Sequence, residues 1–111
     1  MSSEILEFDP MNPFDVALIK IKKLHDKKKA DYSNPADRFS NFKVSANHAN
    51  ITPQQAIEVL IGIKCARLAE LTKPDREPQN ESLSDTYLDR AVYAILAYVY
   101  YDESIKEQYS K

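Results

Sequence analysis

Three carboxylates spaced four residues apart begin the longest apolar segment of the chain: Glu81, Asp85 and Asp89. On a helix, positions i, i+4 and i+8 share one side, so these acids form a stripe of like charges that repel one another. Such a stripe needs a cation, a hydrogen-bonding partner or open solvent. Because magnesium takes one or two carboxylates and keeps several waters, we predict that Glu81, Asp85 and Asp89 are candidate ligands of Mg²⁺.

Two cations, Lys64 and Arg67, lie in the apolar segment IEVLIGIKCARLAEL. Lys64 shares the apolar side of this segment, and an unpaired cation buried there would be very unfavourable. Two interpretations stay open. Lys64 and Arg67 form an ion-pair network with Asp85 and Asp89 between two antiparallel helices, or they bind a phosphate group while the acids hold magnesium or ribose hydroxyls.

A second candidate site lies in the segment 29–42, which interleaves aromatic rings with polar side chains. An aromatic ring there would stack on a base, and an arginine would contact a phosphate. For Phe39 and Phe42 we favour the alternative, in which these rings plug the segment into the helices. The ligand-binding candidates in this segment are Lys29, Asp31, Tyr32, Arg38 and Asn41.

The elements that must position these residues are helices. A single glycine in 111 residues leaves little for hairpins or phosphate-cradling loops. Capping signals at Asn12-Pro13 and Thr52-Pro53-Gln54-Gln55, together with apolar residues at helical spacing, predict helix starts. Ser82-Leu83-Ser84-Asp85 resembles a further capping box.

We predict an all-α antiparallel bundle of three main helices, at about 13–30, 53–72 and 82–108. A flexible lead-in at 1–11 precedes the single helical domain 12–111, which includes a structured loop at 31–51 with one short helical turn near 36–47.

Several residues of the predicted helices have two interpretations. The small residues Gly62, Ala66 and Ala69 favour close approach of another helix, either within the chain or from another subunit. Cys65 is interpreted as inert core. The tyrosines of the last helix are typical of a core rim or a subunit interface, and we expect a homo-oligomer. The predicted core side of the first helix includes Phe14, and that of the last helix includes Ile95.

The composition excludes several classes. A formal charge of −2 gives no general attraction to nucleic acid or anionic membranes, and the apolar runs are too short for a membrane span. One cysteine cannot form an internal disulfide, and His25 and His48 lack partners at metal-ligand spacing. We expect a cytoplasmic protein that contacts neither membranes nor nucleic-acid polymers.

Four motifs carry a family resemblance. Lys29-x-Asp31-Tyr32, Asp37-x-Phe39-x-Asn41-Phe42, Lys64-x-x-Arg67-Leu68 and Glu81-Ser82-x-x-Asp85-Thr86-x-x-Asp89-x-x-x-Tyr93 occur in this order. The chain resembles, over roughly residues 16–101, the nucleotide modification-associated domain family of phage and bacterial proteins. The resemblance implies an all-helical fold and nucleotide chemistry in a phage setting, within the host cytoplasm.

A looser likeness links the chain to the all-helical MazG-like nucleoside triphosphate pyrophosphohydrolases. These carry an E-x-x-E pair on one helix and an E-x-x-D pair on the next, which hold magnesium against the triphosphate. Here Lys64 and Arg67 stand where acids would be needed. We therefore expect a nucleotide-binding protein that sequesters a nucleotide or a cyclic-nucleotide signal in a counter-defence role. Magnesium-dependent pyrophosphohydrolysis and a structural role without ligand are the alternatives.

Overall fold

The computed structural model describes residues 7–29, 37–77 and 80–109 of the chain. These parts contain four helices. They are α1 (Pro13–Lys29), α2 (Ser40–Ala49), α3 (Pro53–Leu71) and α4 (Asn80–Tyr109). These ranges contain no strand, so the all-α prediction is confirmed. None of the described helices combines the length and hydrophobicity that crossing a membrane requires.

Two of the predicted helix starts are confirmed in detail. The Asn12 side-chain oxygen accepts a hydrogen bond from the backbone N–H of Phe14 at 2.9 Å. At α3 the Thr52 hydroxyl accepts from the Gln55 N–H at 3.1 Å, and the Gln55 side chain accepts from the Thr52 N–H at 2.9 Å. These contacts satisfy N–H groups that a helix start leaves without partners.

The capping box predicted at Ser82 to Asp85 is wrong. The last helix begins at Asn80, two residues before the predicted start, so Ser82 lies inside its first turn. The Ser82 carbonyl accepts a hydrogen bond from the Thr86 hydroxyl at 2.6 Å. This is the bond from a side chain back to the preceding turn that serine and threonine make within helices.

The segment predicted as a structured loop contains the ten-residue helix α2. Asn50 ends this helix in the left-handed conformation, with φ of 58°, a conformation that asparagine tolerates better than most residues. Phe39 and Phe42 are buried, at 3% and 8% exposed, so the packing interpretation of these rings is confirmed. Their rings contact Tyr100 and Tyr93 edge-on, with centroids 5.1 and 6.4 Å apart.

The core lies where α2, α3 and α4 meet. α3 packs along α4, α2 packs against α3, and α1 packs against α4. Ile57 and Val92 are the largest fully buried side chains. The buried cluster consists of Phe39, Phe42, Ile57, Val92, Leu96 and Ala97.

Three residues lie on the outside, contrary to expectation. Phe14 is 70% exposed and Ile95 is 46% exposed, and Cys65 is exposed as well. Each successive residue turns by about 100° around a helix, so Cys65 lies to one side of Lys64, and Ile95 lies to one side of the buried Leu96. No heavy atom of another element lies within 4 Å of where a Cβ on Gly62 would stand. The interpretation in which another helix of the same chain closely approaches Gly62 is therefore wrong for the described residues. The alternative, a contact of Gly62 with another subunit, stays a prediction.

Candidate anion-binding groove

Asp89 on α4 is the centre of a charged cluster that joins three helices. The Lys28 ammonium of α1 lies 2.9 Å from one carboxylate oxygen of Asp89, and the Lys64 ammonium of α3 lies 3.2 Å from the other. The three side chains are between 22% and 32% exposed. We call Lys28, Lys64 and Asp89 the charged cluster.

The protonation of Asp89 follows from this geometry. Burial acts to raise the pKa of Asp89, but hydrogen bonds and charge attraction from Lys28 and Lys64 act in the other direction and prevail. The pKa of Asp89 therefore lies below its ordinary value, and the side chain is ionised at neutral pH. Within these three side chains, one carboxylate faces two ammonium groups, and the Lys28 ammonium also lies 5.1 Å from the centroid of the Tyr93 ring.

Arg67 does not join this cluster by an ion pair. Its Nε donates a hydrogen bond to the Thr86 hydroxyl at 3.2 Å, and Thr86 is itself only 3% exposed. Among the described residues neither Arg67 nor the exposed Asp85 takes part in a salt bridge. The predicted network is therefore half present: Lys64 pairs with Asp89, whereas Arg67 anchors to a neutral hydroxyl one turn earlier on α4.

A groove of about 370 Å³ runs along α1 and α4. Phe8 lies at the groove, and three polar side chains line it: Lys22, which pairs with Asp26 at 2.8 Å, His25 and Arg38. The remaining lining is aliphatic and comes from both helices: Leu18, Ile21, Val92, Ile95, Leu96 and Val99.

The groove leads toward the charged cluster. His25 on one wall precedes Lys28 by three residues, and Val92 on the other wall follows Asp89 by three. Three residues of helix span about 4.5 Å, so the cluster lies about one turn beyond the groove on both helices. An apolar groove with two ammonium groups about one turn beyond its end can accept a ligand that has an apolar body and an anionic group.

His25 adds an unsatisfied polar atom to the groove wall. Its Nδ1 lies 3.3 Å from a carboxylate oxygen of Asp26. Its Nε2 is buried and has no hydrogen-bond partner within the part of the chain that the structure describes. Buried polar atoms nearly always have a partner, so His25 Nε2 is an exception among the described residues.

The structure separates the predicted ligand-binding residues into groups. Lys64 and Asp89 lie together, Arg67 lies on the same helix pair, and Arg38 lines the groove. Asp85 and Asn41 are exposed on α4 and α2. Asp31, Tyr32 and the side chain of Lys29 lie outside the described residues.

The magnesium site stays a prediction. Among the described side chains, no group of three histidines, cysteines or acids is arranged to hold a metal ion. Glu81 is not part of that comparison, because its side chain lies outside the described residues. Asp89, a second predicted ligand, already pairs with two lysines.

The sequence reasoning missed the contribution of α1. The sequence analysis gave Lys22, His25 and Lys28 no role in binding. A signal was present for two of them, because Leu18, Ile21, His25 and Lys28 follow one another at spacings of three and four. Such residues share one side of a helix, which places His25 and Lys28 with the aliphatic residues that face α4.

Comparisons of the chain with known protein families, with characterised proteins and with solved structures find no match.

Proposed function

We propose that the protein is a nucleotide-binding module whose site is the groove between α1 and α4 together with the charged cluster at its end. The observation that carries the proposal is the pairing of Asp89 with both Lys28 and Lys64 beside an apolar groove. The family resemblance of the four motifs supports the same class of ligand, and sequestration of a nucleotide or cyclic-nucleotide signal is the role it favours.

The positive charge supports an anionic ligand. Two ammonium groups share one carboxylate, and Arg67 has no acidic partner among the described residues. A phosphate group offers several oxygens and a full negative charge, so it can accept hydrogen bonds from Lys28 and Lys64 while Asp89 keeps both lysines ordered.

The shape of the groove supports a ligand with a flat apolar part. Its volume, about 370 Å³, lies within the range of small-molecule sites. Aliphatic walls can hold the faces of a base, and the half-exposed ring of Phe8 can stack on it.

The charged cluster favours binding over hydrolysis. A pyrophosphohydrolase of the MazG-like type needs carboxylates that hold magnesium against the triphosphate. Asp89 is committed to two lysines, and Lys64 and Arg67 occupy α3 where the family has acids. Cations in these positions hold a phosphate in place but supply no activated water.

Isothermal titration calorimetry tests the proposal, with nucleoside mono- and triphosphates and cyclic mono- and dinucleotides, each with and without magnesium. We expect at least one nucleotide to bind and to be recovered unaltered after the protein is denatured. Lys64→Gln should weaken that binding by about tenfold or more, the factor that corresponds to about 1.4 kcal/mol. The affinity should also fall as salt is added, since salt screens the phosphate contacts.

Lys73→Gln is the matched control, because Lys73 is an exposed lysine at the end of α3 that pairs with Glu70 away from the groove. The absence of binding across the series, or an equal loss in Lys64→Gln and Lys73→Gln, would refute the proposal. Recovery of a cleaved nucleotide, with cleavage lost in Asp85→Asn, would favour the pyrophosphohydrolase alternative instead.

A further inference from the structure

α4 carries a second apolar side that the described parts of the chain (7–29, 37–77 and 80–109) do not cover. Three of its tyrosines, Tyr87, Tyr98 and Tyr101, are 47%, 64% and 56% exposed. They belong to a row of six uncharged residues spaced alternately four and three apart: Tyr87, Ala91, Ala94, Tyr98, Tyr101 and Ile105. We call this row the tyrosine seam.

The tyrosine seam lies opposite the core side of α4. Val92 and Leu96, which are 2% and 3% exposed, face the core, whereas Tyr98 and Ala94 are exposed on the other side. A spacing that alternates three and four over several turns is the heptad pattern by which one helix packs along another. Here it extends over 19 residues (87–105), and it is separate from the aliphatic residues that line the groove.

The shape of the molecule explains why the seam is uncovered. Its principal extents are 54 × 42 × 23 Å, and its smallest extent equals about two helix diameters. The radius of gyration, 16.6 Å, exceeds the value of about 13 Å that is typical of a compact domain of this length. A body this thin cannot surround α4 with its own helices.

We propose that the tyrosine seam packs antiparallel against the same seam of a second copy of this chain, with the two-fold axis beside residue 96. In that register each exposed ring meets a smaller residue of the other copy. Tyr98 lies opposite Ala94, Tyr101 opposite Ala91, and Tyr87 opposite Ile105. Large-against-small packing along the whole seam lets two helices interdigitate.

A parallel pairing of the seams lacks this complementarity. It would place Tyr98 against Tyr98 and Tyr101 against Tyr101, while Ala91 and Ala94 would face their own copies across empty space. Crowded tyrosine layers would hold the helices apart, and the alanine layers would leave voids, which packed interfaces avoid. The order of residues on the seam therefore selects the antiparallel arrangement.

The area available matches a modest dimer. A tyrosine buries 150–250 Å² when fully covered, so three half-exposed rings contribute roughly 300 Å² per chain. Both chains together bury about 600 Å² through these rings. The three aliphatic seam residues and the flanking side chains bring the total toward the roughly 1,000 Å² that a specific interface needs. The seam carries no charged residue, so no like charges oppose one another in its centre.

Multi-angle light scattering coupled to size-exclusion chromatography tests the pairing across a range of protein concentrations. We expect a species of twice the 12.7 kDa chain mass. Tyr98→Glu should convert it to the monomer, because two carboxylates would be buried in the interface. Val44→Glu, at an exposed position on α2, introduces the same charge away from the seam and should leave the dimer intact. A monomer at all concentrations, or a dimer that survives Tyr98→Glu, overturns the proposal.

Disulfide trapping tests the register in a Cys65→Ser background. Ala91→Cys combined with Tyr101→Cys should yield dimers cross-linked between position 91 of one copy and position 101 of the other, as peptide mapping by mass spectrometry would show. Within one helix these positions are about 15 Å apart, too far for an internal disulfide. Links between two copies of position 91, or between two copies of position 101, would overturn the antiparallel arrangement.

Discussion

Asp89 is the residue on which the positions of α1 and α3 relative to α4 depend most directly, because one carboxylate accepts from a lysine of each helix. Its environment is only partly solvated, so the attraction is screened less than in a surface ion pair. Asp85, one turn earlier, carries the same charge and takes part in no ion pair with any described residue. The two acids therefore form a natural comparison of a paired and an unpaired carboxylate on one helix.

We predict that Asp89→Asn lowers the free energy of unfolding at neutral pH by about 1–3 kcal/mol, since two partly buried ammonium groups lose their shared charge. Asp85→Asn should change it by less than about 0.5 kcal/mol. Urea denaturation followed by circular dichroism measures both. Equal effects of the two substitutions would contradict the role assigned to Asp89.

The ion pairs of Asp89 also predict that the stability of the protein depends on pH. Because the pKa of Asp89 is lower in the folded chain than in the unfolded chain, its stabilisation is present above the ordinary aspartate pKa of about 3.9 and disappears as pH falls through the lowered value. The difference in unfolding free energy between the wild type and Asp89→Asn should therefore shrink as pH falls below about 4. A difference that is constant from neutral pH to pH 3 would show that charge is not the cause.

α3 has a well-capped N-terminus and a residue of low helix propensity at its centre. The capping box at Thr52 and Gln55 satisfies its first N–H groups, whereas Gly62 in its middle lowers its helical stability. The backbone around Gly62 is helical, and space is open around the position of a Cβ. Nothing in the described part of one chain therefore requires glycine there.

We predict that Gly62→Ala raises the free energy of unfolding by about 0.5–1 kcal/mol, the amount by which glycine disfavours a helix. Ala66→Gly, at an exposed position one turn later, should lower it by a similar amount. Thermal denaturation of both variants provides the measurement. Destabilisation by Gly62→Ala would indicate that another chain approaches this position closely.

At the scale of the whole molecule, stability is distributed unevenly. α3 has buried residues near both of its ends and α4 has buried residues between Thr86 and Ala97, whereas none of the residues 13–28 of α1 is buried. α1 packs against α4 through half-buried side chains and the ion pair of Lys28 with Asp89. One wall of the proposed site therefore belongs to the least buried of the four helices.

Native-state hydrogen exchange should report this difference. We predict that the amides of α1 exchange through openings of lower free energy than the amides around Ile57 and Val92, because local stability follows buried contacts. Asp89→Asn should accelerate exchange in α1 more than in α2. Uniform protection across the four helices would show instead that the chain opens only as one unit.

The sequence by itself determined the features that arise within a few residues of each other. Asn12-Pro13 and Thr52 to Gln55 specify helix starts through contacts that span two or three residues, and apolar residues at helical spacing predicted the helices that follow them. Phe39 and Phe42 were recognised as packing residues because aromatic rings in a polar segment need cover. All of these depend on local geometry and composition.

Only the tertiary structure decided which charges meet and which sides of the helices stay open. The pairing of Lys28 with Asp89 joins residues 61 positions apart, and its existence depends on how α1 is rotated and placed along α4. The same rotations left Cys65, Gly62 and Ile95 outside and formed the groove between α1 and α4. Helical periodicity defines the sides of each helix, but the choice of which side meets which partner is made by the packing of all the helices together.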